Sequence, residues 1–328
     1  MIYPLWYLAG LVLFWAIVPA FVLVGGDLLV KRRKQIAVRH GQWFWAYAFL
    51  SVALAWSTLF LFFPLVKASG QSLTNFSLSA SESTRWVGLA NYRELLTDRY
   101  WWHAIFVTLV FVAATLPVSL LVSLFLAMQI LRQPRPVQTF FKAALYLPGV
   151  ISPVVGAAVL KWIFHSGDGF ANALLAKLGL PMQNWFGDPH LAMPVLIVMT
   201  WLGASGVGVI VYAAALGNIP RTYYEVAELD GASGLRTFAH VTWPLIKPTT
   251  IFVTVTSLIG GFQIFAPALL ITGGGPLRTT WFVNYHIYRT FYYQNEFAMA
   301  SAMAIVLMGL IVIVSMLSYR WLTTDVEY

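Results

Sequence analysis

Seven stretches of this chain contain no Asp, Glu, Lys or Arg: residues 2–26, 42–66, 104–131, 143–160, 190–220, 248–277 and 297–319. A bilayer core takes roughly 20 apolar residues per helix, so each stretch is a candidate crossing, with 143–160 the shortest. Only 10% of the 328 residues are charged and 59% are hydrophobic, whereas an ordinary soluble domain carries about 25% charged residues. Strand-type alternation over roughly 10-residue segments, as in a membrane barrel, is absent. The expected fold class is an all-α polytopic membrane protein of about seven transmembrane helices. The first stretch has no basic residue before it and is too long for a signal-peptide core, so it is expected to remain as an uncleaved helix. The chain has no cysteine, which removes disulfides and thiolate metal sites.

The short connections give the orientation. Residues 31–42 carry Lys31, Arg32, Arg33, Lys34 and Arg39 without an acid, and Arg132, Arg135 and Lys142 bound the next connection on the same side. With 221–247 and Arg320, that side collects twelve basic residues, against eight on the other, where the loops also carry Glu82, Glu94, Asp98, Asp168, Asp188 and Glu296. The positive-inside rule places the basic side in the cytoplasm, with the N-terminus outside and the C-terminus inside. The net charge of +8 is then a by-product of topology, and no nucleic-acid partner is expected. On the outer side, residues 87–96 repeat apolar positions at helical spacing and suit a segment lying along the lipid surface. They can pack on the bundle or help seat an extracytoplasmic partner.

Ionisable groups inside a bilayer are costly and usually mark ion or proton paths. None lies within the seven stretches apart from His190 at an edge, which argues against a proton-coupled carrier. No hydrolase constellation or metal cluster is apparent. The chain also lacks the phosphate-binding loop Gly-x-x-x-x-Gly-Lys-Ser/Thr. Any nucleotide energy must therefore come from another polypeptide.

The polar segment 220–247 is too structured for a simple return loop. Pro220 can start a helix, because its missing N–H would be unpaired in the first turn. Thr222 to Leu229 gives about two turns with Glu225 and Glu228, and Asp230-Gly231 is turn chemistry. Ser233 or Gly234 can open a second short helix, which Pro244 is expected to close. The spacing Glu225-x-Ala227, three residues, Gly231, nine residues, Val241-x-Trp243-Pro244 resembles the signature loop of binding-protein-dependent ABC importer permeases. Val226 and Trp243 depart from the family's usual alanine and leucine, both by apolar replacement. The resemblance runs over about residues 60–321, through Val87 to Arg93, Leu147-Pro148, Trp185 to Pro189, Gly217 to Pro220 and Leu270 to Pro276, and points to the maltose-type carbohydrate branch. Residues 1–41 read as an added N-terminal helix and basic loop, 42–322 as the permease domain and 323–328 as a cytoplasmic tail.

The resemblance implies partners: a second homologous permease, two ATPase subunits that bind ATP and Mg, an extracytoplasmic solute-binding protein and a sugar or sugar-like cargo. The chain itself would hold no cofactor, carry no catalytic residue and sit as a multi-pass protein in a bacterial inner membrane. Glu225, Ala227, Asp230, Gly231 and Pro244 would form the ATPase-coupling element. Sugars need uncharged polar groups, aromatic faces and room. Two helices supply these, with Trp201, Leu202, Gly203, Ser205 and Gly206 on one and Ser257, Gly261 and Gln263 on the other. The resemblance matches Trp201, Leu202, Gly203, Gly206, Ser257 and Gly261 to substrate-contact positions. The same small residues equally suit close helix packing, and paired permeases can place the site on the other subunit. The competing function is an ATP-independent facilitator or channel for small polyols, which would have no motor to couple through segment 220–247.

Overall fold

The computed structural model describes residues 50–77, 84–203 and 205–323, and these are helical with turns and no strand. They fall into two compact units divided between Lys67 and Ala68. The first stretch, the basic segment 31–42 and the last five residues lie outside the described residues. Among the described residues five helices are long and apolar enough to cross a bilayer: α1 (Leu50–Gln71), α3 (Arg99–Leu131), the span Ala192–Gly217, α10 (Gly234–Phe262) and Phe297–Leu322 within α12 (Phe297–Thr323). α2 (Ala90–Thr97) precedes α3. In the first unit, residues 50–67 are helical and expose Leu50, Val52, Trp56 and Phe60. Such an apolar surface is at home only in lipid or against protein.

In the second unit α3 is the central mast. Asp98 caps its N-terminus by accepting from the Tyr100 amide at 2.8 Å. Its residues enter three core clusters: Trp101, Ala104 and Ile105 pack with Leu258 and Met303; Phe111 packs with Leu196 and Phe282; Leu124 and Ala127 pack with Tyr212 and Ile246. A helix that is apolar on every side belongs in the middle of a bundle. Leu95 on α2 is fully buried in the first cluster, so the amphipathic segment 87–96 does pack on the bundle.

The stretch 143–160 does not form one straight crossing. α4 (Arg135–Val150) and α5 (Pro153–Ile163) meet at 94°. Pro153 favours the extended ψ of 133° at Ser152, the residue before it; Ile151 is extended as well, with ψ 135°, and Ser152 caps α5. The stretch 248–277 is likewise interrupted. α10 ends at Phe262, and a π-helical turn, Ala268–Thr272, closes on Gly273 in the left-handed region.

Pro244 does not close a short helix. α10 runs without a break from Gly234 past Pro244 and Pro248 to Phe262. A π-helical turn, Phe238–Thr242, immediately precedes Trp243, whose amide bonds to the Phe238 carbonyl. This wider turn shifts the hydrogen-bond register just where proline would break an α-helical ladder.

Between α5 and α7 (Ala192–Gly203) the chain folds around one side chain. Asn172, on α6 (Phe170–Lys177), is fully buried. Its Nδ2 donates to the Ser166 and Gln183 carbonyls at 2.8 and 2.9 Å. Its Oδ1 accepts from the Gln183 amide and Trp185 Nε1, both at 3.0 Å.

Candidate functional site: a hydroxyl-lined cavity and an exposed helix–turn–helix

α8 (Ser205–Gly217) leads through Pro220 into α9 (Arg221–Leu229). Pro220 is the cap residue rather than the first helical one, with ψ 137°. At the other end, the Gly231 amide bonds to the Glu228 carbonyl at 3.0 Å and the Ala232 amide to the Ala227 carbonyl at 2.9 Å. This pair of bonds is the Schellman closure, which needs a left-handed residue between helix and exit. Gly231 supplies it with φ +70°. Ser233 then takes the N-cap position of α10 in extended conformation, without a side-chain capping bond. Ala227 is buried, whereas Glu225, Val226, Glu228 and Asp230 are exposed. Leu229 and Leu235 are 88% and 85% exposed. The Tyr224 and Thr242 hydroxyls, 3.3 Å apart, tie α9 to α10, and Val226, Asp230, Arg236 and His240 line an open hollow of about 650 Å³ between the two helices.

A second hollow, of about 310 Å³, lies among α3, α7, α8 and α10. Ser257 and Gly261 of α10 line it, as do Thr200 of α7 and Thr256 of α10. Trp201, Gly206 and Gln263 are not among its lining residues. The Trp201 indole N–H donates to the Ala114 carbonyl at 3.1 Å and so ties α7 to α3. Gly206 lies so close to α4 that a Cβ there would overlap the Leu145 carbonyl, which makes it a packing position. Gln263 caps the C-terminus of α10 and is exposed. The backbone places Leu202 and Gly203 on α7 and Ser205 on α8; their surroundings lie outside the described residues. Sequence reasoning missed the wall given by α3, where Thr115, Ser119 and Ser123 follow one another at intervals of four and line the cavity. That spacing stacks side chains on one helix face and was legible as a pattern, but not as a cavity wall.

α3 can lie this close to both neighbours because they present glycine. A Cβ at Gly208 would sit 2.7 Å from Ser123 Oγ, and one at Gly261 would sit 3.0 Å from Val112 Cγ2. At the N-terminal end of α3, Asp98 Oδ2 is 3.4 Å from Nε2 of the buried His286 on α11 (Val283–Tyr292). This is an ion-pair distance without hydrogen-bond geometry, and both ring nitrogens lack a hydrogen-bond partner among the described residues. Burial holds the imidazole pKa below its ordinary value, and the Asp98 carboxylate opposes that only in part. The Arg278 guanidinium, 3.7 Å from the Tyr100 ring centroid, adds to the lowering.

The described residues thus combine a polytopic helical bundle, an uncharged cavity and a folded polar helix–turn–helix. Residues 99–328 match the family described as Binding-protein-dependent transport system inner membrane component, and the chain belongs to it. It is 29% identical over 269 residues to the arabinooligosaccharides transport system permease protein AraP of Bacillus subtilis strain 168, covering 80% of this chain and 83% of that one. It is 31% identical over 289 residues to the sn-glycerol-3-phosphate transport system permease protein UgpA of Yersinia pestis, covering 86% and 95%. The fold matches a chain in the crystal structure of a bacterial ABC transporter involved in the import of the acidic polysaccharide alginate. The TM-score is 0.73 at 22% identity, over 87% of this chain and 96% of that one. A further structure of the bacterial alginate transporter, in complex with an alginate pentasaccharide-bound periplasmic protein, matches with a TM-score of 0.72 at 22% identity over 84% and 92%.

Proposed function

We propose that this chain is one membrane subunit of an ATP-driven importer for a sugar or sugar-like solute, working by alternating access. The observation that carries the proposal is the continuity of α10. The helix begins beside the Schellman turn at Gly231 and carries Ser257 and Gly261 of the cavity near its other end. At 1.5 Å per residue, roughly 35 Å of unbroken helix separates Gly234 from Ser257. A push on the exposed α9–α10 corner is therefore delivered to the cavity wall. The twelve basic residues that the sequence collects on that side support a cytoplasmic location for the corner. There Glu225, Ala227, Asp230 and Gly231 meet an ATPase subunit, and Pro244, behind the π turn, belongs to the helix that carries the movement.

The partners are a second homologous permease, a pair of ATPase subunits holding ATP and Mg, and an extracytoplasmic solute-binding protein. Relatives named for arabinooligosaccharide and glycerol-phosphate transport support a sugar-like cargo. The alginate transporter's complex with a periplasmic protein supports the binding-protein partner. This chain contributes the path and the coupling element, and hydrolysis belongs to the ATPases. The test reconstitutes the whole complex in proteoliposomes. Uptake should require ATP, and Glu225→Lys should abolish both uptake and the stimulation of ATP hydrolysis by loaded binding protein while leaving the helices inserted. Uptake that continues undiminished without ATP would identify a facilitator instead.

A further inference from the structure

We infer that the 310 Å³ cavity recognises an uncharged solute rich in hydroxyl donors, and that Ser119 on α3 helps to discriminate it. The inference rests on the importer reading above and specifies the chemistry of its cargo. Five of the six hydroxyls that line the cavity, all but Ser123, have a clear hydrogen-bonding state. Thr115 Oγ1 donates to the Phe111 carbonyl at 2.7 Å, Thr200 Oγ1 to the Leu196 carbonyl at 2.8 Å, and Thr256 Oγ1 to the Phe252 carbonyl at 2.8 Å. A hydroxyl has one proton to give and two lone pairs to receive with. These three threonines have therefore committed their protons to their own helices and face the cavity as acceptors.

Ser119 and Ser257 differ. Their hydroxyls make no hydrogen bond among the described residues. One stands on the α3 wall and the other on the α10 wall, and each can both donate and accept. These five are thus biased towards acceptors, with two adaptable groups, and their natural complement is a ligand that offers several O–H protons. No Asp, Glu, Lys, Arg or His lines the cavity. A phosphate or carboxylate moving in would shed its hydration and meet no cation, a cost that uncharged hydroxyls avoid. The volume falls at the small end of ligand pockets, which run from about 300 to about 1,000 Å³, so the cavity holds a short solute or one end of a longer one.

The experiment uses the whole importer, this chain with its partner subunits, in proteoliposomes, with variants compared at equal amounts of assembled complex. The probes are a panel of radiolabelled neutral mono- and disaccharides, including arabinobiose and maltose, with glycerol 3-phosphate as the anion. At least one neutral probe should be taken up with ATP, and glycerol 3-phosphate should not. Ser119→Ala and Ser257→Ala should each lower uptake of that neutral probe about fivefold, the worth of one hydrogen bond. Ser119→Thr should fall between, since its hydroxyl can bond back to α3 as the neighbouring threonines do. As a second measurement, the chain's lack of cysteine lets Ser119→Cys be labelled with a small thiol reagent, and the neutral probe should protect it. Wild-type uptake with unchanged rates in both alanine variants, or no protection at Ser119→Cys, overturns the inference and leaves the importer reading standing. Glycerol 3-phosphate uptake as fast as that of the neutral probe does the same. No ATP-dependent uptake of any probe overturns both.

Discussion

Gly231 is where local backbone chemistry and transport meet most directly. Its φ of +70° costs glycine little, whereas an L-residue held in this region loses about 1–2 kcal/mol, and a β-branched one more. A Cβ built at Gly231 finds no atom within 4 Å, so crowding adds nothing and the whole effect is conformational. Gly231→Val should then favour opening of the turn roughly tenfold, at 1.4 kcal/mol per factor of ten. That would loosen the Gly231–Glu228 and Ala232–Ala227 bonds and the angle between α9 and α10. The assay is ATP-driven uptake in proteoliposomes, read beside co-purification of the ATPase subunits. Because the cost follows tolerance of positive φ, activity should rank Gly above Asn, Asn above Ala and Ala above Val. Thermal unfolding of the membrane bundle should hardly move, since the turn is exposed. A Gly231→Asn variant as poor as Gly231→Val, or a Gly231→Val variant with normal uptake, would refute this reasoning.

Two further outcomes are expected. Gly206→Val drives a side chain into the Leu145 carbonyl and should destabilise the bundle by about 1–3 kcal/mol as an overpacked site, seen as a lower unfolding temperature in detergent; unchanged stability would show that α4 and α8 are not in close contact. The lowered pKa of His286 means that the unfolded chain binds the extra proton as pH falls through 6.5, the ordinary imidazole value. Stability contributed by the neutral ring is therefore full above that pH and declines below it. His286→Gln should flatten the loss of thermal stability between about pH 7 and about pH 5, and an unchanged slope would move its cause elsewhere.

Much of this architecture was legible because membranes reward simple patterns. The absence of charge over 104–131 and 297–319 marks helices that the fold contains, and Asp230-Gly231 marks the turn with its positive φ. The failures have physical causes. Pro244 signals a helix end only if the preceding turn is α-helical, and nothing in Phe238 to Thr242 announces a π turn. Pro148 and Pro153 were both visible, yet a 94° bend depends on where α4 and α5 find neighbours. Trp201 offered an indole N–H to any cargo, but Ala114, 87 residues away in sequence, claims it. The hydroxyls on α3 escaped notice because Ser and Thr four residues apart on an apolar helix suit packing as readily as a cavity.

Asn172 has a consequence for how this protein can change. The segment between α5 and α7 is held by one amide that donates to two carbonyls and accepts from an amide and an indole. Even the near-identical aspartate would set a carboxylate oxygen against two carbonyl oxygens, with no proton to place between them. Residues around this anchor, such as the exposed Phe170, Leu174 and Leu178, are free to drift in size and polarity. Variation in the loop is thus channelled onto its surface, the part a partner molecule would meet, while a single side chain carries the constraint.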